Sequence, residues 1–309
     1  MKRAASEFRL PVPWGELRGQ VWGPEEGRPI LCLHGWADNS GSFNTLIPLL
    51  PQEWRCVAVD MAGHGLSSPR PPGVFYTFPA YITDVRRVVE ALQWKRFSIL
   101  GHSMGGNVAG MFSALFPEMV EGLVLLDSYG FLPTNTNELP GIVRQGIEEM
   151  VRLEETEKDG KKERIYTYEK AMQRLMAANP HLSEQSAKNL LERGIREVEG
   201  GFVFTRDFRL NLKNVTRNSL EQCLEYQSRI QARVLLLMAD AGLNKSFPLP
   251  EGCSESLMNG YQRSKNMKVM TVSGDHHVHM NQPEGLVPII TDFLQSVGSA
   301  QATENTAKL

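Results

Sequence analysis

The run Phe97-Ser98-Ile99-Leu100-Gly101-His102-Ser103-Met104-Gly105-Gly106 decides how the rest of the chain is read. Phe97 to Leu100 reads as a short buried strand. Met104 to about Leu115, bounded by Pro117, reads as a helix that starts immediately after it. Between them sits a serine with a glycine two positions before it and another two positions after. The glycines permit a sharp turn, because a side chain at 101 or 105 would clash with the neighbouring strand or helix. Ser103 is then left strained and exposed at the sheet's edge. The helix N-terminus lies beneath it, where the dipole and free N–H groups favour negative charge. A serine hydroxyl needs a base, an exposed position and oxyanion donors before it becomes a useful nucleophile. The strand–turn–helix context supplies the second of these.

Outward from that turn, short β-rich runs alternate with amphipathic stretches. Phe8 to Val12 and Leu17 to Trp22 read as an N-terminal pair, and Pro29 to Leu33 and Arg55 to Val59 as buried strands. Phe75 to Leu92 contains a helix, with Ile82, Val85, Val88, Val89 and Leu92 recurring at three and four. Leu123 to Leu126, Arg233 to Met238 and Lys268 to Val272 are further strands, and Glu284 to Gln295 is a closing helix. Such alternation predicts an α/β fold, a mostly parallel central sheet flanked by helices. From 133 to 225 it stops and charged helix formers take over, as in Glu154-Glu155-Thr156-Glu157-Lys158. That block reads as an inserted helical cap with a solvated charged face. The expected organisation is a core of 1–132 and 226–298, a cap of 133–225 and a flexible polar tail of 299–309.

The chain has 309 residues, 41% hydrophobic and 22% charged, with a formal net charge of -2. That balance gives no electrostatic case for nucleic acid or an anionic membrane surface. Cys32, Cys56, Cys223 and Cys253 are scattered, with no C-x-x-C pair, and read as free thiols in a reducing compartment. The N-terminus lacks the apolar stretch of a secretory signal, and no apolar run reaches the roughly 20 residues of a membrane span. The terminal Ala307-Lys308-Leu309 follows the small-basic-Leu pattern of a peroxisomal address. The expected location is the peroxisome, the cytoplasm or both, with the peroxisomal import receptor as partner.

Three more segments carry a family resemblance. They are Leu33-His34-Gly35-Trp36 after a central strand, Asp60-Met61-Ala62-Gly63-His64-Gly65-Leu66-Ser67, and Gly274-Asp275-His276-His277-Val278-His279-Met280-Asn281-Gln282-Pro283. With the serine turn they resemble, in order, the motifs of the α/β-hydrolase superfamily. The last loop and the chain ending resemble those of its serine hydrolase-like proteins. The resemblance implies the α/β-hydrolase fold with Ser103 as nucleophile. It implies His276, seven residues before Pro283, as the base, with His277 and His279 as packing or pocket residues. It implies the main-chain N–H groups of Trp36 and Met104 as the oxyanion hole, with His34 and His102 steadying the turns. The acid departs from the commonest pattern, whose position falls on Gly242. Asp127, at the end of the strand Leu123 to Leu126, is the preferred acid and Asp240 the alternative.

The H-H-x-H cluster offers no third carboxylate or thiolate ligand, so neither metal nor cofactor is expected. A serine attacking an alkyl carbon would give a stable ether, whereas an acyl-serine is opened by water. The expected chemistry is therefore acyl transfer to water on a small-molecule ester, thioester or amide. The alternatives are a carbon–carbon bond hydrolase, or a non-catalytic ligand-binding homologue suggested by the missing acid at 242. Tyr166, Tyr168, Met172 and Met176 of the cap are conceivable pocket residues, although such spacing more often marks core.

Overall fold

The apolar runs pair into one eight-stranded sheet in the computed structural model, which describes residues 5–158, 164–246, 248–262 and 267–306. The strands are β1 (Ser6–Val12), β2 (Gly15–Trp22), β3 (Arg28–Leu33), β4 (Trp54–Asp60), β5 (Phe97–His102), β6 (Val120–Leu126), β9 (Arg233–Ala241) and β10 (Met267–Asp275). A separate hairpin holds β7 (Ile195–Val198) and β8 (Gly201–Phe204). The sheet order is β1-β2-β4-β3-β5-β6-β9-β10. β2 runs antiparallel to both of its neighbours, and every other pairing in the sheet is parallel. The helices are α1 (Phe78–Ala91), α2 (Met104–Leu115), α3 (Leu139–Lys158), α4 (Tyr168–Ala178), α5 (Glu184–Gly194), α6 (Leu220–Ser228), α7 (Leu243–Ser246), α8 (Cys253–Gln262), α9 (Val278–Asn281) and α10 (Val287–Thr306).

The central strands are apolar at consecutive positions because the sheet is covered on both faces. Leu31, Leu33, Val57 and Val59 enter one core with α1 and α2, while Ile30, Cys32, Cys56 and Ala58 enter the other with α10. Crossover helices on both sides therefore leave the carboxyl ends of β3, β5, β6, β9 and β10 along one rim. Loops that bear chemistry gather at that rim in open α/β sheets.

Between β6 and β9 the chain forms α3, α4 and α5, but also the β7–β8 hairpin, which the helical reading of 133–225 did not include. Glu199 and Gly200 make its turn, and Gly200 and Gly201 are both at positive φ. The boundary between 225 and 226 falls inside α6, whose Cys223 is buried in the core beside α2 and α8. α10 runs on to Thr306, where a flexible tail was expected from 299; Ala307, Lys308 and Leu309 lie outside the described residues. All four cysteines are free and buried. No helix among the described residues is long and apolar enough to cross a membrane.

Candidate active site

β5 delivers Ser103 to the rim and α2 leaves at the next residue. The turn is tight because a Cβ on Gly101 would come within 2.6 Å of the Gly105 carbonyl oxygen, and one on Gly105 would overlap the Leu33 carbonyl. Ser103 takes the strain, with φ 51 and ψ −117. Such backbone costs about 1–3 kcal/mol and persists only where its surroundings enforce it. Although Ser103 is the N-cap of α2, its hydroxyl caps nothing and is free for another partner.

That partner is His276, on the loop after β10: its Nε2 lies 2.9 Å from Ser103 Oγ. The other ring nitrogen, Nδ1, lies 2.6 Å from Asp127 Oδ2. A carboxylate only accepts, so Nδ1 carries the proton and Nε2 presents its lone pair to the serine hydroxyl. Asp127 follows β6, is 1% exposed and has φ 44. Its Oδ1 accepts the Ala239 N–H at 3.0 Å and its Oδ2 the Leu243 N–H at 2.6 Å, which aims the carboxylate at His276. Asp240, the other candidate, is engaged by the main chain of β10 instead. It is exposed and accepts the Gly274 N–H at 3.0 Å, a bond that lowers its pKa. The structure thus brings Ser103, His276 and Asp127 together and leaves Asp240 outside.

Gly242 lies where the commonest acid would stand, and its lack of a side chain has a steric cause. A Cβ there would overlap the Asp127 carboxylate. Gly35 backs onto His102 and Asp38, and Gly105 onto the carbonyls of Leu33 and His34, so the turn carrying Trp36 flanks the serine turn. Neither the Trp36 nor the Met104 main-chain N–H donates a hydrogen bond among the described residues. Both are available to an oxyanion. Trp36 itself is 52% exposed, and its indole N–H donates to the Leu210 carbonyl at 2.9 Å.

The remaining histidines form the wall behind the site. His34 Nε2 accepts the Met61 N–H at 3.0 Å, so its Nδ1 donates to the Gly35 carbonyl at 2.7 Å, and the ring ties the turn after β3 to the loop after β4. His102 Nε2 donates to the His276 carbonyl at 2.7 Å and so seats the histidine loop. The His102 ring lies tilted with its centroid 4.0 Å from that of His279, which is fully buried with neither ring nitrogen hydrogen-bonded. Desolvation, with repulsion from neighbouring imidazoles behind it (His279, His276 and His277 on His102; His277 and His276 on His279), holds both rings well below the ordinary imidazole range. Asp38 Oδ2 lies 3.8 Å from His102 and 4.0 Å from His277. Among the described residues no group of three His, Cys, Asp or Glu is placed to hold a metal ion.

The cap sits directly on this loop. Asn281 accepts from Ser183 N–H and the Ser186 hydroxyl and donates to the His181 carbonyl, while Met280 joins Leu182, Ala187 and Leu190 in a small core. Met172 and Met176 pack against that core, the bland alternative to a pocket role. Tyr166 and Tyr168 meet Phe204 and Phe202 edge-on. Arg206, which carries no sequence motif, lies over the Trp36 ring.

Comparison with known proteins places the chain. A family model described as the alpha/beta hydrolase fold matches residues 28–189. A serine hydrolase-like protein of Danio rerio is 63% identical over 295 residues, spanning 96% of this chain and 90% of that protein. The human serine hydrolase-like protein 2 is 42% identical, spanning 94% of each. The crystal structure of a hypothetical protein from Pseudomonas aeruginosa superposes with a TM-score of 0.82 at 30% identity, over 95% of this chain and 99% of that one. The chain belongs to the α/β-hydrolase fold family and, within it, to the serine hydrolase-like proteins.

Proposed function

We propose that the protein is a serine hydrolase that cleaves a carboxylic ester, or a related thioester or amide, through an acyl-enzyme on Ser103. The observation that carries this is the unbroken relay of Ser103 Oγ, His276 Nε2, His276 Nδ1 and Asp127 Oδ2, with spacings of 2.9 and 2.6 Å. As Ser103 attacks the acyl carbon, its proton passes to His276 Nε2. The developing imidazolium is held by Asp127, and the oxyanion takes the N–H groups of Met104 and Trp36. His276 then returns the proton to the leaving oxygen. Water, activated by the same nitrogen, opens the acyl-serine and regenerates the hydroxyl. The best sequence support for a non-catalytic homologue is glycine at 242, and a carboxylate stands beside His276 without it. A carbon–carbon bond hydrolase would use the same residues and is separated from an esterase by substrate alone.

The test is labelling of purified protein with a fluorophosphonate probe. Wild type labels; Ser103→Ala does not; His276→Ala and Asp127→Asn label far more slowly, while Asp240→Asn keeps the wild-type rate. Failure of a well-folded wild type to label, or loss of labelling in Asp240→Asn alone, would sink this assignment. The location of the reaction is proposed as the peroxisome on the strength of Ala307-Lys308-Leu309. A fluorescent fusion placed ahead of residue 300 is expected to turn from punctate to diffuse when Leu309 is deleted, and unchanged puncta would refute that address.

A further inference from the structure

Most partly or fully buried arginines beside the cap meet a carboxylate: Arg193 meets Asp60 and Glu7, Arg209 meets Asp207, and Arg70 meets Asp84. Arg206 does not. It follows β8, and its guanidinium carbon lies 5.4 Å from the centroid of the Trp36 ring. Its hydrogen bond goes to a neutral group, Asn211 Oδ1 at 3.2 Å, and no carboxylate among the described residues lies within ion-pair distance of it. Asp38 is the anion that acts on it from further off, and that carboxylate faces His102 and His277. A second cation, Arg174 of α4, stands near enough to repel it. Arg174 rests 5.7 Å from the Tyr166 ring, and Tyr166 pairs its backbone with Phe202 of β8. Desolvation and the neighbouring charge both lower the Arg206 pKa, the response of a cation lacking its counter-ion. A half-buried arginine with a second cation nearby is electrostatically unfavourable unless an anion joins them.

The place matters as much as the charge. Trp36 lies on the turn that flanks the serine turn, and its indole is anchored to Leu210, four residues beyond Arg206. Arg206 therefore covers the exposed aromatic beside the nucleophile. With one nitrogen on Asn211, one edge of the guanidinium fork is left, and it matches the two oxygens of a carboxylate. We propose that Arg206, backed by Arg174, is an anion subsite of the active site, and that the ester cleaved at Ser103 carries a carboxylate. This rests on the hydrolase reading above and narrows its substrate class.

The experiment uses two matched ester pairs and the full chain. 4-Nitrophenyl hexanoate is compared with mono-4-nitrophenyl adipate, which adds a carboxylate to the acyl end. 4-Carbamoylphenyl hexanoate is compared with 4-carboxyphenyl hexanoate, which puts the charge on the leaving group. In wild type the charged member of one pair is expected to have a KM about tenfold below that of its neutral partner. In Arg206→Gln that ratio falls to about one. Arg174→Gln, at an exposed helix position, lowers the same ratio by a smaller factor and carries the test if Arg206→Gln does not fold. Turnover without charge preference in either pair, or a preference that survives both variants, overturns the subsite and leaves the hydrolase reading standing. If no ester is turned over, calorimetry with adipate against hexanamide decides. Adipate binding that Arg206→Gln abolishes upholds the subsite, and no adipate binding overturns it, while the hydrolase reading stands or falls separately with fluorophosphonate labelling of Ser103.

Discussion

Asp127 and Gly242 are one device read at the scale of single residues. Asp127 follows β6 at φ 44, and its carboxylate fills the space a Cβ at 242 would need. Gly242→Ala is therefore expected to lose about 1–3 kcal/mol by overpacking, and to slow fluorophosphonate labelling by pushing Asp127 off His276. Wild-type melting together with wild-type labelling in that variant would show that the two positions are independent. In Ser-His-Asp triads, changing the acid to its amide lowers kcat by about 10⁴, and Asp127→Asn should fall in the same range when ester turnover is followed. The double variant Asp127→Gly with Gly242→Asp returns a carboxylate from the adjacent strand, and glycine suits the left-handed backbone at 127. It should recover at least about tenfold of the turnover lost in Asp127→Gly alone. Glycine at 242 was visible in the sequence as a departure from pattern. Its cause was not, because the clash is with a residue on another strand.

At the scale of elements, the cap is bolted to the sheet by a buried charge network. Arg193, the penultimate residue of α5, donates to Asp60 Oδ2 from Nε at 2.9 Å and from Nη2 at 2.7 Å, and its Nη1 reaches Glu7 of β1 at 3.0 Å. Asp60, fully buried at the end of β4, also accepts the N–H groups of Ser40 and Leu66. Arg193→Met would strand the Asp60 charge, so unfolding in urea should show a loss of about 3–5 kcal/mol. Asp60→Asn combined with Arg193→Met should lose less than the sum of the two single changes. Strict additivity in that cycle would mean the pair is not coupled. Asp60 stood out in the sequence within its Asp-Met-Ala-Gly-His-Gly-Leu-Ser run, but its partner lies 133 residues away. The β7–β8 hairpin was hidden for a different reason. Two four-residue strands around Gly200-Gly201 are too short to show a period against the charged helix formers on either side.

Over the whole molecule, burial of imidazoles sets how stability follows pH. His34, His64, His102, His277 and His279 are all held below the ordinary imidazole pKa, with desolvation as the largest cause in each. A depressed histidine pKa means the unfolded chain binds more protons in the window below about 6.5. Stability is then full above that value and declines as pH falls through it, by up to about 1.4 kcal/mol per proton per pH unit. Asp84, whose carboxyl is pushed up to about 6 by burial against the pull of Arg70 and Arg87, acts in the opposite sense below that point. The histidine effect is therefore read most cleanly between about pH 7.5 and 6. Thermal melts should shift downward over that interval, and His279→Phe should flatten the slope; a pH-independent Tm would contradict this account. The fold itself was legible because its evidence is local. Two-sided burial makes a central strand apolar at every position, and the steric need of the turn puts glycines two residues either side of Ser103 within ten residues of chain. Which aspartate meets His276 was decided only by the tertiary structure. Asp127 and Asp240 both stand at the carboxyl ends of strands, just past β6 and within its neighbour β9. Their distances to the loop after β10 depend on the β6–β9–β10 register and on the irregularity between Val272 and Asp275. Parallel register is set by packing between distant segments, and no local pattern encodes it.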